Sequence, residues 1–274
     1  MEVKVLGSVS PYCDKNHNGP GFLVTSGDNK ILLDCGPGST SLLDMEQDLK
    51  NLTIIISHLH RDHYSDLISS IAYTSYVHHN LGLLDQKVKV YIPKPDYYND
   101  YENYTNQYGH YDYKLVSKPI LDYQLLTNLG EESYLDIQTY STDSKIQIGD
   151  VTATFAYNPH NIRSHAIKLD NGAEIIVYSG DTGYEHNNIT KLAKKCNLLI
   201  CESTFLRGQS KGTKDYHLYA HEAAKIASIA KPDLLMLTHF WPTIDKQKYV
   251  DEALPIFPNT IPAEEGHILK LTRN

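Results

Sequence analysis

The sequence has little cysteine, and none of it in the paired spacing that builds thiolate metal sites. Its four cysteines, Cys13, Cys35, Cys196 and Cys201, form no CxxC pair in 274 residues. That disfavours both a disulfide framework and a thiolate-held metal. Cys35 and Cys201 end apolar runs, where a buried, reduced thiol is expected. No apolar run is long enough to span a bilayer. The N-terminal Met1-Glu2-Val3-Lys4-Val5-Leu6 enters a strand-like alternation at once rather than a signal peptide. A cytoplasmic protein without a membrane partner is expected. Excess positive charge is absent too. The formal net charge is -8, which opposes a long nucleic acid as ligand yet suits a small anion drawn to a bound cation. Low-complexity tails and short repeats are also missing. One domain over residues 1–274 is expected, with ample material for a core.

What the sequence does have is histidine concentrated in one place. His58-Leu59-His60-Arg61-Asp62-His63 puts four metal-binding side chains into six residues. The stretch directly follows Leu52-Thr53-Ile54-Ile55-Ile56-Ser57, an apolar run that reads as a buried strand. Alternate positions on an extended chain share a face, so His58 and His60 can point the same way. Asp62 and His63 are expected to curl over from the following turn. Imidazole suits zinc, and a neighbouring carboxylate permits a second hard or borderline cation.

Around this cluster the chain reads as strands and helices in two runs. Val3 to Leu6, Gly21 to Thr25, Lys30 to Asp34 and Val88 to Ile92 are expected strands, separated by Gly- and Pro-containing turns. Ser39 or Thr40 is placed to cap a short helix towards Leu49. Apolar residues at helical spacing predict a helix from Tyr64 to about Leu81. The second run has strands near Ser133 to Thr139, Lys145 to Ile148 and Val151 to Tyr157. His165 to Leu169 and Ala173 to Tyr178 form a hairpin about Asp170-Asn171-Gly172. A helix near Ile189 to Lys195, a strand at Asn197 to Cys201, a helix from Tyr219 to Ala230 and a strand at Asp233 to Thr238 follow. Two packed mixed sheets with helices outside, an α+β class, are expected. Residues 96 to about 130 stand apart as a Tyr-rich insertion without a period, suited to packing on its own domain, to a subunit contact or to covering a substrate.

Three more candidates repeat the pattern of an apolar strand followed by a ligand. They are His160 after Val151 to Tyr157, Asp181 in Ser179-Gly180-Asp181-Thr182, and His239 after Leu234 to Thr238. Taken singly, a histidine at a strand end is more often structural. His17, His78, His79, His110, His186 and His267 lie outside the pattern.

In order along the chain, His-x-His-x-Asp-His followed by His, Asp and His resembles the metallo-β-lactamase fold hydrolases from Gly21 to His239. The resemblance implies an αββα sandwich with a dinuclear site between the sheets. Carried over by position, His58, His60 and His160 would hold one metal, and Asp62, His63 and His239 the other, with Asp181 bridging. Two Zn²⁺ per chain are implied, with Mn²⁺ as an alternative. His217-Leu218-Tyr219-Ala220-His221-Glu222 resembles the segment that supplies an extra catalytic histidine in ribonuclease Z-type phosphodiesterases. By register His217 takes that role as proton donor, beside Asp62 as ligand and orienter of the attacking hydroxide. His221, one helical turn on, is a second candidate, more simply an exposed helix residue. Arg163 and His165 flank the third motif as candidate substrate contacts.

The tRNA-processing members carry a long arm between the third-motif histidine and the bridging aspartate. Here residues 161 to 180 hold a hairpin and no arm. The compact core with a Tyr-rich insertion looks most like the phage anti-Pycsar phosphodiesterases. That likeness implies a homodimeric enzyme hydrolysing cyclic nucleotides such as cCMP and cUMP, with cAMP and cGMP as further candidates, in the host cytoplasm. A ribonuclease Z-like phosphodiesterase on other small diesters or RNA 3′ ends is the alternative. Opening of a lactone or thioester by the same metals, and a protein that sequesters nucleotides without cleaving them, also stay open.

Overall fold

Strands whose residues are apolar on both faces have to be covered on both sides, and β4 (Leu52–Ile55) and β11 (Leu198–Glu202) are buried along their whole length. Each is an interior strand of one of two seven-stranded sheets in the computed structural model, which describes residues 1–94, 124–130, 133–184, 186–210 and 216–271. The first sheet has the order β14-β1-β2-β3-β4-β5-β6. It is built from β1 (Glu2–Gly7), β2 (Gly21–Ser26), β3 (Asn29–Leu33), β4, β5 (Val88–Pro93), β6 (Leu135–Tyr140) and β14 (Ile268–Lys270). The second has the order β13-β12-β11-β10-β9-β8-β7. Its strands are β7 (Lys145–Ile148), β8 (Val151–Asn158), β9 (Ser164–Asp170), β10 (Ile175–Tyr178), β11, β12 (Leu234–Thr238) and β13 (Thr260–Pro262).

Both sheets start antiparallel and become parallel. In the first, β1, β2 and β3 alternate in direction, then β3 to β6 run together. In the second, β7 to β10 alternate, then β10 to β13 run together. The inner faces meet in one core, with Val5, Phe22 and Ile55 from one sheet packed among Phe155, Ile167 and Tyr178 from the other. A second apolar cluster, including Leu32, Ile54, Val90, Leu67 and Ile71, seats helices on the outside of the first sheet. The helix Ala220–Ala230 covers the second sheet with Ala220, Ala223, Ala224 and Ala227, small residues at helical spacing that permit close approach. This is the two-sheet, outer-helix arrangement expected from the sequence.

Several local expectations are corrected. Asp62 and His63 are not in a turn but in the first turn of a helix, Arg61–Asp66, which continues through a π-helical Leu67–Ile71 into Ala72–Asn80. Ser39 and Thr40 do not cap an α-helix. They lie in a 3₁₀ turn, and Asp44 caps the short helix Met45–Asp48 by accepting from the Glu46 and Gln47 amides. The helix expected at Ile189 to Lys195 begins earlier, at His186–Leu192. The helix Lys246–Ala253 and the strands β13 and β14 carry no clear periodicity in the sequence; β14 pairs antiparallel with β1 and closes the first sheet. Most of the Tyr-rich segment lies outside the described residues; 124–130 are helical.

Candidate metal centre

Strand direction decides where the polar residues gather. β3 and β4 are parallel, β8 and β10 are both antiparallel to β9, and β10, β11 and β12 are parallel. Within each sheet these strands therefore finish at one edge, where ligands of mixed sheets are usually bound. The sheets are tied there by a bridge between His58 and Ser164 and by the His165 amide donating to the Ser57 carbonyl at 3.2 Å. Gly180 makes the approach possible. It has φ 57°, and a Cβ there would lie 2.9 Å from the Ser57 Cβ and 3.0 Å from the His165 carbonyl oxygen.

Two sets of donor atoms converge at this edge. In the first, His60 Nδ1 lies 3.0 Å from His58 Nε2 and 3.1 Å from His160 Nε2. Asp181 Oδ2 lies 3.5 Å from His58 Nε2 and 3.8 Å from His160 Nε2. In the second, His63 Nε2 is 3.3 Å from His239 Nε2, and Asp62 Oδ2 is 3.6 Å and 3.8 Å from those two nitrogens. The other oxygen of Asp181, Oδ1, is 3.3 Å from His63 Nε2 and 3.0 Å from His239 Nε2. One carboxylate thus serves one set with each oxygen.

These spacings fit divalent ions. Ligands 2.0–2.1 Å from a tetrahedral ion stand roughly 3.3–3.4 Å from one another, which the observed separations straddle. Asp181 Oδ1 is buried and no donor meets it in hydrogen-bond alignment, the condition of an oxygen that a cation completes.

The outer ring nitrogens of His58, His63, His160 and His239 each have a partner, which aims the inner nitrogens at the centre. His160 Nδ1 donates to the Tyr216 carbonyl at 3.1 Å. The others run through two buried carboxylates. Asp34, fully buried at the end of β3, accepts from His63 Nδ1 (2.7 Å), the Tyr178 hydroxyl (2.7 Å), the Ser57 hydroxyl (2.8 Å) and the Ser57 amide (2.6 Å). The Ser57 hydroxyl in turn faces His58 Nδ1 at 3.0 Å. Glu202, buried at the end of β11, accepts from His217 Nδ1 (3.1 Å), the Thr204 hydroxyl (2.8 Å), the Thr182 amide (2.7 Å) and the Leu218 amide (3.1 Å). Thr204 Oγ1 then lies 2.7 Å from His239 Nδ1. Such partners set ring orientation and tautomer at metal sites.

The protonation pattern of the metal-free chain splits along the same lines. Burial, followed by the neighbouring rings His63 and His60 respectively, holds His58 and His160 well below the usual imidazole range. Burial pushes His60 down to about 4 against the pull of Asp62 and Asp181. In the second set burial is outweighed. Asp181, Asp62 and Asp34 lift His63 well above its ordinary value, and Asp181 leads the groups that push His239 up to about 10. Burial would raise Asp62 and Asp181, but His63 and His239 hold both well below the carboxylate range. Protons on His63 and His239 occupy the place a cation would take, so metal uptake releases them.

A family model described as "Anti-Pycsar protein Apyc1" matches residues 1–252. The chain belongs to this family. It is 28% identical over 240 residues to the probable metallo-hydrolase YhfI of Bacillus subtilis, covering 87% of this chain and 86% of that one. The crystal structure of YhfI, described as a metallo-β-lactamase fold protein, superposes with a TM-score of 0.78 at 23% identity over 98% of both chains. Ribonuclease Z of Saccharolobus solfataricus is 26% identical over 295 residues, covering 95% of this chain and 96% of its own. The short form of human tRNase Z shares the fold, with a TM-score of 0.71 at 18% identity over the full length of both chains. The Apyc1-family chain therefore has a metallo-β-lactamase fold and is a metal-dependent hydrolase.

All seven expected ligand residues fall in the two converging sets. The remaining candidates separate. His217 keeps 26% of its side chain exposed and stacks on His239 with centroids 5.2 Å apart. Burial would lower its pKa, but Glu202 outweighs it and raises it. His221 stands apart, with Nδ1 2.7 Å from Glu252 and its ring stacked on Tyr219. His165 as a substrate contact is corrected, because its side chain is fully buried against Tyr140 and Phe155 with Nε2 3.2 Å from the Thr142 hydroxyl. Arg163 sits over the Tyr157 ring at 5.7 Å, outside the converging sets.

Three functional residues escaped the sequence reading. Asp34 and Glu202 both end apolar strands, the very pattern that singled out Asp181, so the signal was present. Ser10 had none. Its hydroxyl donates to Asp62 Oδ2 at 2.5 Å, from a loop that reaches the site from β1. A direct consequence concerns Asp34. Asp34→Asn puts an NH₂ among donors, and we expect metal affinity to fall about 10–100-fold, with about 1–3 kcal/mol of stability lost. Chelator competition and thermal unfolding measure the two. Unchanged metal affinity would show that Asp34 only supports the fold.

Proposed function

We propose that this metal-dependent phosphodiesterase, holding two Zn²⁺ ions, hydrolyses 3′,5′-cyclic nucleotides such as cCMP and cUMP to nucleoside monophosphates. His58, His60 and His160 would hold one ion and Asp62, His63 and His239 the other, with Asp181 between them; Mn²⁺ is the alternative metal. The observation that carries this reading is His217, held on the Glu202 carboxylate, beside two donor sets that share one carboxylate. Ions bound there supply a water deprotonated near neutral pH and offset charge on the phosphoryl oxygens.

The chain's own groups do the rest. Asp62, held by the Ser10 hydroxyl, can orient the attacking oxygen. Glu202 accepts the Nδ1 proton of His217 and favours the imidazolium, which leaves Nε2–H as a donor. As the bond from phosphorus to the 3′-oxygen breaks, His217 gives its proton to that oxygen, and the proton lost by the water restores it. Membership of the anti-Pycsar family supports a phage protein that counters a cyclic-nucleotide defence in the host cytoplasm, acting as a homodimer.

Ribonuclease Z relatives favour a second reading, cleavage at RNA 3′ ends. Against it, β9, β10 and the turn that joins them take up most of the chain between His160 and Asp181, which leaves no arm for tRNA. Incubation of the metal-loaded protein with cCMP, cUMP, cAMP and cGMP distinguishes these. Linear monophosphate is expected, lost with EDTA and restored by Zn²⁺ or Mn²⁺. Stoichiometric recovery of unchanged nucleotide would point to sequestration, and cleavage of precursor tRNA alone to the second reading.

A further inference from the structure

The chain has one tryptophan, Trp241, two residues beyond the ligand-set residue His239. Its neighbour Phe240 is fully buried in the core, whereas Trp241 is half-exposed. The alternation turns one aromatic inward and leaves the other partly exposed against Phe205. Trp241 is linked to that centre by a continuous series of rings. Its centroid is 6.3 Å from that of Phe205 at 63°, and Phe205 is 6.3 Å from His217 at 62°. His217 then stacks on His239. Phe205 is half-exposed as well.

This wall is held in place by its backbone. The Phe205 amide donates to the Leu218 carbonyl at 3.0 Å, and its carbonyl accepts from the Ala220 amide at 2.9 Å. The Trp241 amide faces the Tyr249 hydroxyl at 3.4 Å. Core packing does not need a partly exposed indole and phenyl side by side, and neither takes part in proton transfer or metal binding. A preformed aromatic surface beside a phosphodiester site matches the flat face of a nucleobase, which stacks whatever its hydrogen-bonding edge.

We propose that Trp241, backed by Phe205, is the surface on which the substrate's nucleobase stacks while its phosphodiester lies at the metal donors beside His217. The proposal rests on the cyclic-nucleotide reading above. It assigns base binding to stacking, so purine and pyrimidine substrates should differ little in affinity.

Because Trp241 is the sole tryptophan, its fluorescence reports this contact without turnover. Zinc-loaded His217→Ala protein should show saturable quenching with cCMP. A methyl riboside 3′,5′-cyclic phosphate, the same cyclic diester without a base, should leave the emission unchanged. In the otherwise native enzyme, Trp241→Ala should raise KM for cCMP about tenfold with kcat nearly constant. Trp241→Phe should restore most of the loss, and the methyl riboside should be turned over equally by all three proteins. Calorimetrically verified cCMP binding with unchanged fluorescence, or equal KM rises for both substrates, would overturn the stacking surface alone. Failure of every nucleotide to bind would overturn both it and the cyclic-nucleotide reading.

Discussion

His217→Ala should lower turnover of the cyclic diester by about 10²–10⁴-fold while the chain keeps its full metal content. At 1.36 kcal/mol per tenfold, this raises the barrier by about 2.7–5.4 kcal/mol. The size follows from what His217 does alone. It is the titratable ring beside the donor sets whose Nδ1 is given to Glu202 rather than to a ligand's support. Glu202→Gln should reproduce part of the loss, because a neutral amide still holds the ring but no longer favours its charged form. The measurement pairs steady-state kinetics with metal analysis of the same preparation. Near-native turnover in His217→Ala would remove His217 from the mechanism. Loss of metal would make it a ligand, a role its 3.8 Å distance from Asp181 Oδ2 makes worth testing.

Asp181→Ala should be more severe. Each oxygen of this carboxylate faces a different donor set, so one substitution damages both. Loss of a supporting hydrogen-bond partner typically weakens metal binding about 10–100-fold, and loss of the shared carboxylate should exceed that for both ions. Metal content should fall well below that of the wild type, and activity with it. In the metal-free protein the same change withdraws the leading charge that pushes His239 up to about 10. The imidazole should then titrate closer to its ordinary value, a shift that NMR titration of the histidine ring protons can follow. Retention of two tightly held ions would show that Asp181 does not join the sets.

The sheets and their order of appearance were legible because buried parallel strands and half-buried antiparallel ones leave different apolar patterns. β13 and β14 were not, at three residues each, which is too short for a pattern to form. Asp62 and His63 looked like turn residues, since a helix that starts at Arg61 has no Ser, Thr, Asp or Asn at its cap; His60 holds that position. In the site, contiguity exposed His58 to His63, and strand-end position exposed His160, Asp181 and His239. Asp34 and Glu202 share that position, yet an acid after a strand is usually just solvated. Only burial and the four donors around each carboxylate distinguish them.

Local sequence therefore determined which residues are polar ends of apolar strands, and with the order His-x-His-x-Asp-His, His, Asp, His, what chemistry those ends can support. Tertiary structure alone decided which ends meet. His63 and His239 lie 176 positions apart and face each other because two sheets pack with the ends of β4 and β12 at a common edge. The same packing buried His165, paired His221 with Glu252 and left His217 open beside the donors, three fates for three histidines that one-dimensional spacing treats alike. Distance through space depends on strand direction and sheet packing, and neither is written in the local pattern of any single segment.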